Sequence, residues 1–260
     1  MNNKIDRLFA DPGRRLLMTH LVAGFPSLAG SRELAETLLS GGTDLLEIQV
    51  PFSDPLADGP TIMAANQQAL AAGTVPMDAF SLLESLAGRY SAPLLLMTYA
   101  NIPFRLGWTE FAAACARAGA AGVIVPDLPI DEPGQNLRRV LNKSNIHFIE
   151  VLSPGMSAKR LARVCRSAKG FIYATLRAGT TGAGLNIASS GLDFLQQLKA
   201  VSTLPLAAGF GISKPEHLDL LKDKTAAVVI GSQIINLYQH GGLKAVSDFV
   251  SLCRARLDQG

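Results

Sequence analysis

The sequence has only three cysteines, Cys115, Cys165 and Cys253, in 260 residues. They are far apart and odd in number, and each falls in a helix-like segment such as "FAAACARAG". Neither a disulfide framework nor metal-ligand spacing is present, so reduced, structural thiols are expected. No apolar run reaches the ~20 residues that a membrane span requires. The opening stretch "MNNKIDRLFADPGRR" is polar, unlike a secretory signal. Lys and Arg form no runs; the densest clusters are Arg14–Arg15 and Arg138–Arg139, and the net charge is only +3 with a pI near 8.8. Scattered, solvated charge of this kind excludes a basic nucleic-acid footprint. A cytoplasmic protein that binds neither membrane nor nucleic acid is expected. Lysine is missing from every strand-like run, which argues against a Schiff-base aldolase. A Ser/His/Asp constellation is missing too, as are low-complexity segments and linkers, so one domain over residues 1–260 is expected.

What the sequence does have is eight short apolar runs. They are "LLMTHLVAG" from Leu16, "DLLEIQV" from Asp44, "PLLLMTYA" from Pro93, "GVIVPD" from Gly122, "HFIEVLS" from His147, "GFIYATL" from Gly170, "PLAAGFG" from Pro205 and "AAVVIGS" from Ala226. Near-continuous apolar character suits parallel strands buried on both faces. Between them lie helical patterns such as "SRELAETLLSGG", "WTEFAAACARAG", "SAKRLARVCRSAKG" and "GLDFLQQLKAV", several opening on Ser or Thr and closing on Gly, as helix ends require. Eight such units in this length predict an α/β fold, a single (β/α)8 TIM barrel with an extra N-terminal helix. A doubly wound open sheet is the main competitor, but it usually has fewer strands. Two βα-loops are oversized: the one after strand 2, from Pro51, and the one after strand 6, "LRAGTTGAGLNIASSG". Long loops at the C-terminal ends of barrel strands are where such folds carry chemistry.

The loop after strand 2 begins in "EIQVPFSDPLADGP", which places Glu47, Asp54 and Asp58 among three prolines. That composition makes an ordered but irregular loop. Glu47 itself sits inside an apolar strand, where neither face of a barrel suits a lone carboxylate without a partner or a task. It is either paired in the core or faces a substrate, poised to move protons. Asp58 is expected to stay ionised and to accept a hydrogen bond or steady a positive charge. Asp54, between Ser53 and Pro55, either caps a turn or has another role. "AAGFGIS" and "VIGSQI" end strands 7 and 8, where barrels frequently bind phosphate on glycine backbone and a helix N-terminus. Gly211, Gly231 and Ser232 are therefore phosphate candidates, with "TTGAG" at 180–184 closing over them; the alternative is that the glycines only make tight turns. Tyr99, Asn101, Asp127 and Tyr173 read as structural groups as readily as catalytic ones. His20, in mid-strand, reads more readily as a satisfied core histidine than as an acid or base.

Taken together, these residues resemble the tryptophan synthase alpha subunit family. "EIQVPFSDPLADGP" is long and specific, and "LMTHLVAGFPS", "LLLMTYAN", "GVIVPDLPIDE", "GFIY", "GTTG", "GFGIS" and "GSQI" follow in family order over most of the chain. The resemblance implies a (β/α)8 barrel that cleaves indole-3-glycerol phosphate into indole and glyceraldehyde 3-phosphate. It implies no cofactor or metal of the chain's own, and a pyridoxal-phosphate β subunit as partner in an α2β2 tetramer. It makes Glu47 the proton-transferring carboxylate and Asp58 the partner of the indole N–H. Thr181 and Gly182 belong to the mobile loop after strand 6. Phe210, Gly211, Gly231 and Ser232 frame substrate and phosphate, Tyr173 lines the indole pocket with Tyr99 near it, and Asp54 and its neighbours face the partner.

The chain departs from the family pattern at four places. Gln49 stands where the family has Gly, Met63 where it has Gln, Leu176 where it has Ser, and His20 where it has an aromatic residue. Side chains alternate along a strand, so Gln49 is expected on the face of Glu47. There its amide either hydrogen-bonds Glu47 or the substrate, or fills space the indole needs; tolerance with a weakened site is expected. Two other readings follow: a weakly active or silent alpha-like subunit that mainly binds and activates a β subunit, and a different phosphate-binding barrel enzyme such as a sugar-phosphate isomerase. Retained Glu47 and Asp58 favour the lyase over the first, and the "PFSDPLADGP" match favours it over the second.

Overall fold

Each of the eight apolar runs forms a strand. In the computed structural model, which describes residues 3–11, 13–130, 136–176, 189–209 and 211–259, these are β1 (Leu16–Val22), β2 (Leu45–Gln49), β3 (Leu94–Met97), β4 (Gly122–Ile124), β5 (His147–Leu152), β6 (Ile172–Thr175), β7 (Leu206–Gly209) and β8 (Ala227–Ile230). They close into one barrel in chain order, every neighbour parallel, with β8 returning to β1. Nearly every strand residue is buried because one face meets the barrel interior and the other meets helices. The doubly wound alternative is excluded by this closure.

The helices are α1 (Lys4–Leu8), α2 (Leu28–Ser40), α3 (Pro60–Ala71), α4 (Pro76–Ala87), α5 (Asn101–Leu106), α6 (Trp108–Ala118), α7 (Asn136–Lys143), α8 (Ala158–Ser167), α9 (Ser189–Val201) and α10 (Ser232–Asp258). Local chemistry sets their ends. Ser27 accepts a hydrogen bond from Gly30 N at 3.0 Å, so α2 starts earlier than the "SRELA" pattern alone indicates. Proline occupies the first turn of α3 and α4, where its missing N–H is harmless. Gly119, at φ +83°, stops α6 in the left-handed conformation. The unit after β7 departs from expectation: it holds a 3-10 helix, Pro215–Leu221, instead of an α-helix. The long last helix breaks at Gly242, whose φ of +62° is non-helical.

Two layers of core result. Outside the barrel, aliphatic side chains of the strands pack on the helices, with Cys115 and Cys253 fully buried among them and Cys165 nearly so. All three cysteines are unpaired, as expected, and burial pushes the Cys253 thiol up to about 12. Inside the barrel lie Leu16, Met18, Leu45, Leu95, Ile149, Phe171, Ala207 and Val229. The extra N-terminal helix α1 plugs the barrel's N-terminal end. Ile5 is fully buried against this interior cluster, and the Phe9 ring lies 5.3 Å from Phe171. Asn3 fixes the plug: its amide donates to Ala121 O at 2.8 Å and Asn145 O at 2.7 Å, while its own oxygen caps α1.

One sequence expectation about charge fails. Arg138 is not a solvated surface charge but is buried. Its guanidinium makes a two-pronged pair with Glu150, at 2.8 and 3.1 Å, and donates to the carbonyls of Leu128 and Pro129. It also lies 4.0 Å from the Phe148 ring centroid. Arg138 thereby joins α7 to β5 and to the segment that follows β4.

Candidate active site

A cavity of about 290 Å³ opens at the C-terminal ends of the strands. Its wall includes Glu47, Met97, Ile124 and Val151 from the strands, and Pro126, Ser153, Gly211, Gly231 and Ser232 from the segments that follow them. Closed at the bottom by α1, the barrel offers this cavity as its functional end.

Glu47 is the third residue of β2 and only 4% exposed. Strand register, not sequence proximity, decides its neighbour: β1 and β2 pair so that His20 lies directly beside it. His20 Nδ1 is 3.4 Å from Glu47 Oε2, an ion-pair distance but too poorly aligned for a hydrogen bond, so Oε2 lacks a hydrogen-bond donor among the described residues. His20 is thus more than a satisfied core histidine. Its ring lines the cavity, and its Nε2 also lacks a partner among the described residues. Burial by itself disfavours a charged imidazole; attraction to Glu47, and secondarily to Asp58, outweighs it and leaves the His20 pKa raised.

Asp58 reaches the same cavity from the loop after β2. Three groups hold it. Gln49 Nε2 donates to Asp58 Oδ2 at 2.7 Å, the Tyr99 hydroxyl is hydrogen-bonded to the carboxylate, and Asp58 N donates to Pro55 O at 3.0 Å. Burial pushes the Asp58 carboxyl above its ordinary range against the pull of Gln49, His20 and Tyr99, so its ionisation is less secure than the sequence implied. The rest of the loop is pinned from below. Phe52 stacks on Tyr99 at 5.1 Å, Ala57 N donates to the Tyr99 hydroxyl at 3.1 Å, and Phe52 N donates to Asn66 Oδ1 at 2.9 Å.

Gln49 corrects an expectation. It lies on the interior face, as strand alternation requires, but its amide turns to Asp58 and to Asn66 at 3.4 Å, and it does not line the cavity. It neither bonds Glu47 nor fills the cavity. Tyr99 likewise is fully buried behind the site and supports the loop. Tyr173 does line the cavity. Burial, then the charges of Glu47 and Asp58, hold its phenol well above the ordinary value, so it presents an O–H at neutral pH. Its place depends on Gly209: a Cβ there would come 2.9 Å from Val229 Cβ and 3.2 Å from the Tyr173 hydroxyl.

Gly211, Gly231 and Ser232 come together on the cavity rim as expected. Gly211 has φ +86°, which favours glycine. Gly231 and Ser232 begin α10, whose N-terminus therefore opens on the cavity with its partial positive charge. Thr181, Gly182 and Phe210 lie outside the described residues. Asp127 stays out of the cavity; its carboxylate accepts a hydrogen bond from Ala100 N at 2.9 Å at the start of α5. Asn101 is exposed, Met63 is exposed on α3, and Leu176 is buried in the outer core. Sequence reasoning missed Asn66, and it missed Ser153 and Thr175, whose hydroxyls are 2.9 Å apart on the cavity wall. A polar residue at each strand's C-terminal end was the available signal for the last two.

Comparison with known proteins gives one consistent answer. A family model described as tryptophan synthase alpha chain matches residues 8–254. The tryptophan synthase alpha chain of Syntrophotalea carbinolica is 41% identical over 239 residues, covering 92% of this chain and 94% of that one. That of Desulfotalea psychrophila is 40% identical with the same coverage. Among solved structures, a Mycobacterium tuberculosis tryptophan synthase chain superposes with a TM-score of 0.91 at 29% identity over the whole of both chains. The alpha subunit of Legionella pneumophila gives 0.89 at 29% identity, again over both chains.

Proposed function

We infer the work of this site from the premise that the chain belongs to the tryptophan synthase alpha chain family. It is a carbon–carbon lyase of tryptophan biosynthesis, which cleaves indole-3-glycerol phosphate to indole and glyceraldehyde 3-phosphate. One observation carries the residue assignment: two buried carboxyl groups, from a strand and the loop that follows it, line a single cavity.

The retro-aldol step adds one proton to indole C3 and removes one from the hydroxyl on the adjoining carbon. The bond between those carbons then breaks; the hydroxyl carbon becomes the aldehyde, and the electron pair returns to the indole ring. One proton is gained and one lost, so a single carboxyl group can serve both transfers, and in this reading that group is Glu47. Protonation at C3 leaves positive charge at the ring nitrogen. Asp58, fixed by Gln49 and Tyr99, accepts that N–H and stabilises the charge without reorganising. The apolar wall from Met97, Ile124, Val151 and Val229 suits the indole ring, with Tyr173 beside it. The phosphate belongs at Gly211, Gly231 and Ser232, at the N-terminus of α10. Soaking crystals in glycerol 3-phosphate should place phosphate oxygens about 3 Å from these backbone N–H groups; a phosphate bound elsewhere defeats that assignment.

The partner in this reading is the pyridoxal-phosphate β subunit, in an α2β2 tetramer. Asp54 and Leu56 are exposed on the loop that carries Asp58, and Phe104 is exposed on α5. A subunit that grips this loop acts on Asp58 directly. A cytoplasmic location fits three unpaired thiols; among the described residues no helix is long and apolar enough to cross a membrane. The experiment for the whole reading is indole release from indole-3-glycerol phosphate, with and without a β subunit. Indole is expected from the chain alone, faster with the partner; none in either case refutes it.

Gln49 gives a sharper test. Gln49→Gly removes a donor from a buried carboxylate, which costs roughly 1–3 kcal/mol. A roughly 5- to 150-fold loss in kcat/KM is expected with the circular-dichroism spectrum unchanged. Increased activity would restore the idea that this side chain obstructs the substrate.

A further inference from the structure

His20 lines the cavity, and the reaction above leaves both of its ring nitrogens unused. Its geometry has three parts. Strand register sets it beside Glu47. Its Nδ1 faces Glu47 Oε2 at 3.4 Å, with both side chains about nineteen-twentieths buried. Its Nε2, buried and without a partner among the described residues, belongs to a ring that lines the cavity. A histidine kept only for packing would not hold one nitrogen against the proton-transferring carboxyl and leave the other unpaired.

We propose that His20 and Glu47 act as a dyad, in which His20 Nδ1–H orients the Glu47 carboxyl and Nε2–H is the donor available to a bound substrate hydroxyl. This rests on the reading of Glu47 as the proton-transferring group. When substrate fills the cavity, a small movement of either side chain brings the 3.4 Å contact into hydrogen-bond distance and alignment, as catalytic contacts commonly tighten on binding. His20 is then a positioning residue toward Glu47.

The charges around His20 are few. Glu47 faces it from β2, and Asp58 acts from the loop beyond. On its other side β8 brings Val229, and Gly231 and Ser232 follow; none of these is titratable. The net field therefore favours the imidazolium, and His20 keeps its proton to higher pH than an ordinary histidine. The pair is intact below the raised His20 pKa and weakens as pH rises through it. The alkaline limb of kcat should follow His20.

The chain has only four histidines, so 13C-labelled histidine gives four resonances, and His20→Asn identifies one of them. In the full-length protein the His20 signal should titrate above the ordinary midpoint of about 6.5, and Glu47→Gln should lower it by about one pH unit, tenfold in proton affinity. His20→Phe should lower kcat by about tenfold, less than the roughly 10²- to 10⁴-fold typical of the proton-transferring group itself, with KM changed less. His20→Asn, which keeps an N–H toward Glu47 but does not titrate, should recover most of kcat and lose the alkaline limb. The dyad is overturned if Glu47→Gln leaves the His20 midpoint in place, or if His20→Phe keeps the wild-type kcat and pH profile. A wild-type chain that releases no indole refutes the lyase reading instead, and the histidine titration still decides whether the pair exists.

Discussion

Glu47→Gln will reduce indole release by about 10²- to 10⁴-fold, the loss typical of a general acid–base, and the barrel will remain folded. The substitution keeps the volume of a side chain that is 4% exposed in β2, so no cavity opens and no overpacking follows. What it removes is the proton and the charge. The amide cannot protonate indole C3 or accept the hydroxyl proton, and it no longer attracts the His20 imidazolium. A purely structural Glu47, paired with His20 in the core, predicts a different pattern: a fall in thermal midpoint with turnover little changed. Steady-state kinetics and thermal unfolding on one preparation separate the two. Near-normal turnover would make the pair a core feature only.

A second large effect is expected far from the chemistry. Arg138→Ala should destabilise the protein by about 3–5 kcal/mol, because removing one partner leaves a buried charge uncompensated. Glu150 would lose both guanidinium contacts, and the carbonyls of Leu128 and Pro129 would lose their donor. The shift in urea midpoint measures it. A double variant, Arg138→Met with Glu150→Leu, should lose less than the single variant, since an apolar replacement leaves no stranded charge. If Arg138→Ala unfolds within about 1 kcal/mol of wild type, the value of a solvated surface charge, the burial argument is wrong.

These two residues also mark what the sequence discloses. Glu47 was legible because a lone carboxylate inside "LLEIQV" contradicts its surroundings, and the strands were legible because parallel barrel strands are apolar on both faces. The glycine turns after strands 7 and 8 were legible because the barrel fixes where such loops converge. Arg138 was not. In "NLRRVLNK" it stands next to Leu137 and looks like the solvent edge of an amphipathic helix; its partner, Glu150, lies in β5. His20 failed for a related reason. Its alignment with Glu47 is a matter of strand register between segments 27 positions apart, which no local pattern encodes. Gln49 was placed on the correct face, but the choice of Asp58 over Glu47 as its partner depends on how the loop folds back, and that in turn depends on Asn66 and Tyr99.

The α1 plug makes the barrel a cup and not a pipe. With Ile5 and Phe9 seated in the floor, substrate enters and both products leave across the same rim. Traffic through the described part of this molecule is therefore two-way at one rim, and a partner seated on that rim bears on the order of departure. A partner docked there over Leu56 stands between the indole and the water, and could receive the indole before it disperses. Glyceraldehyde 3-phosphate must then wait for the same threshold to clear, so the polar product is expected to leave after the apolar one.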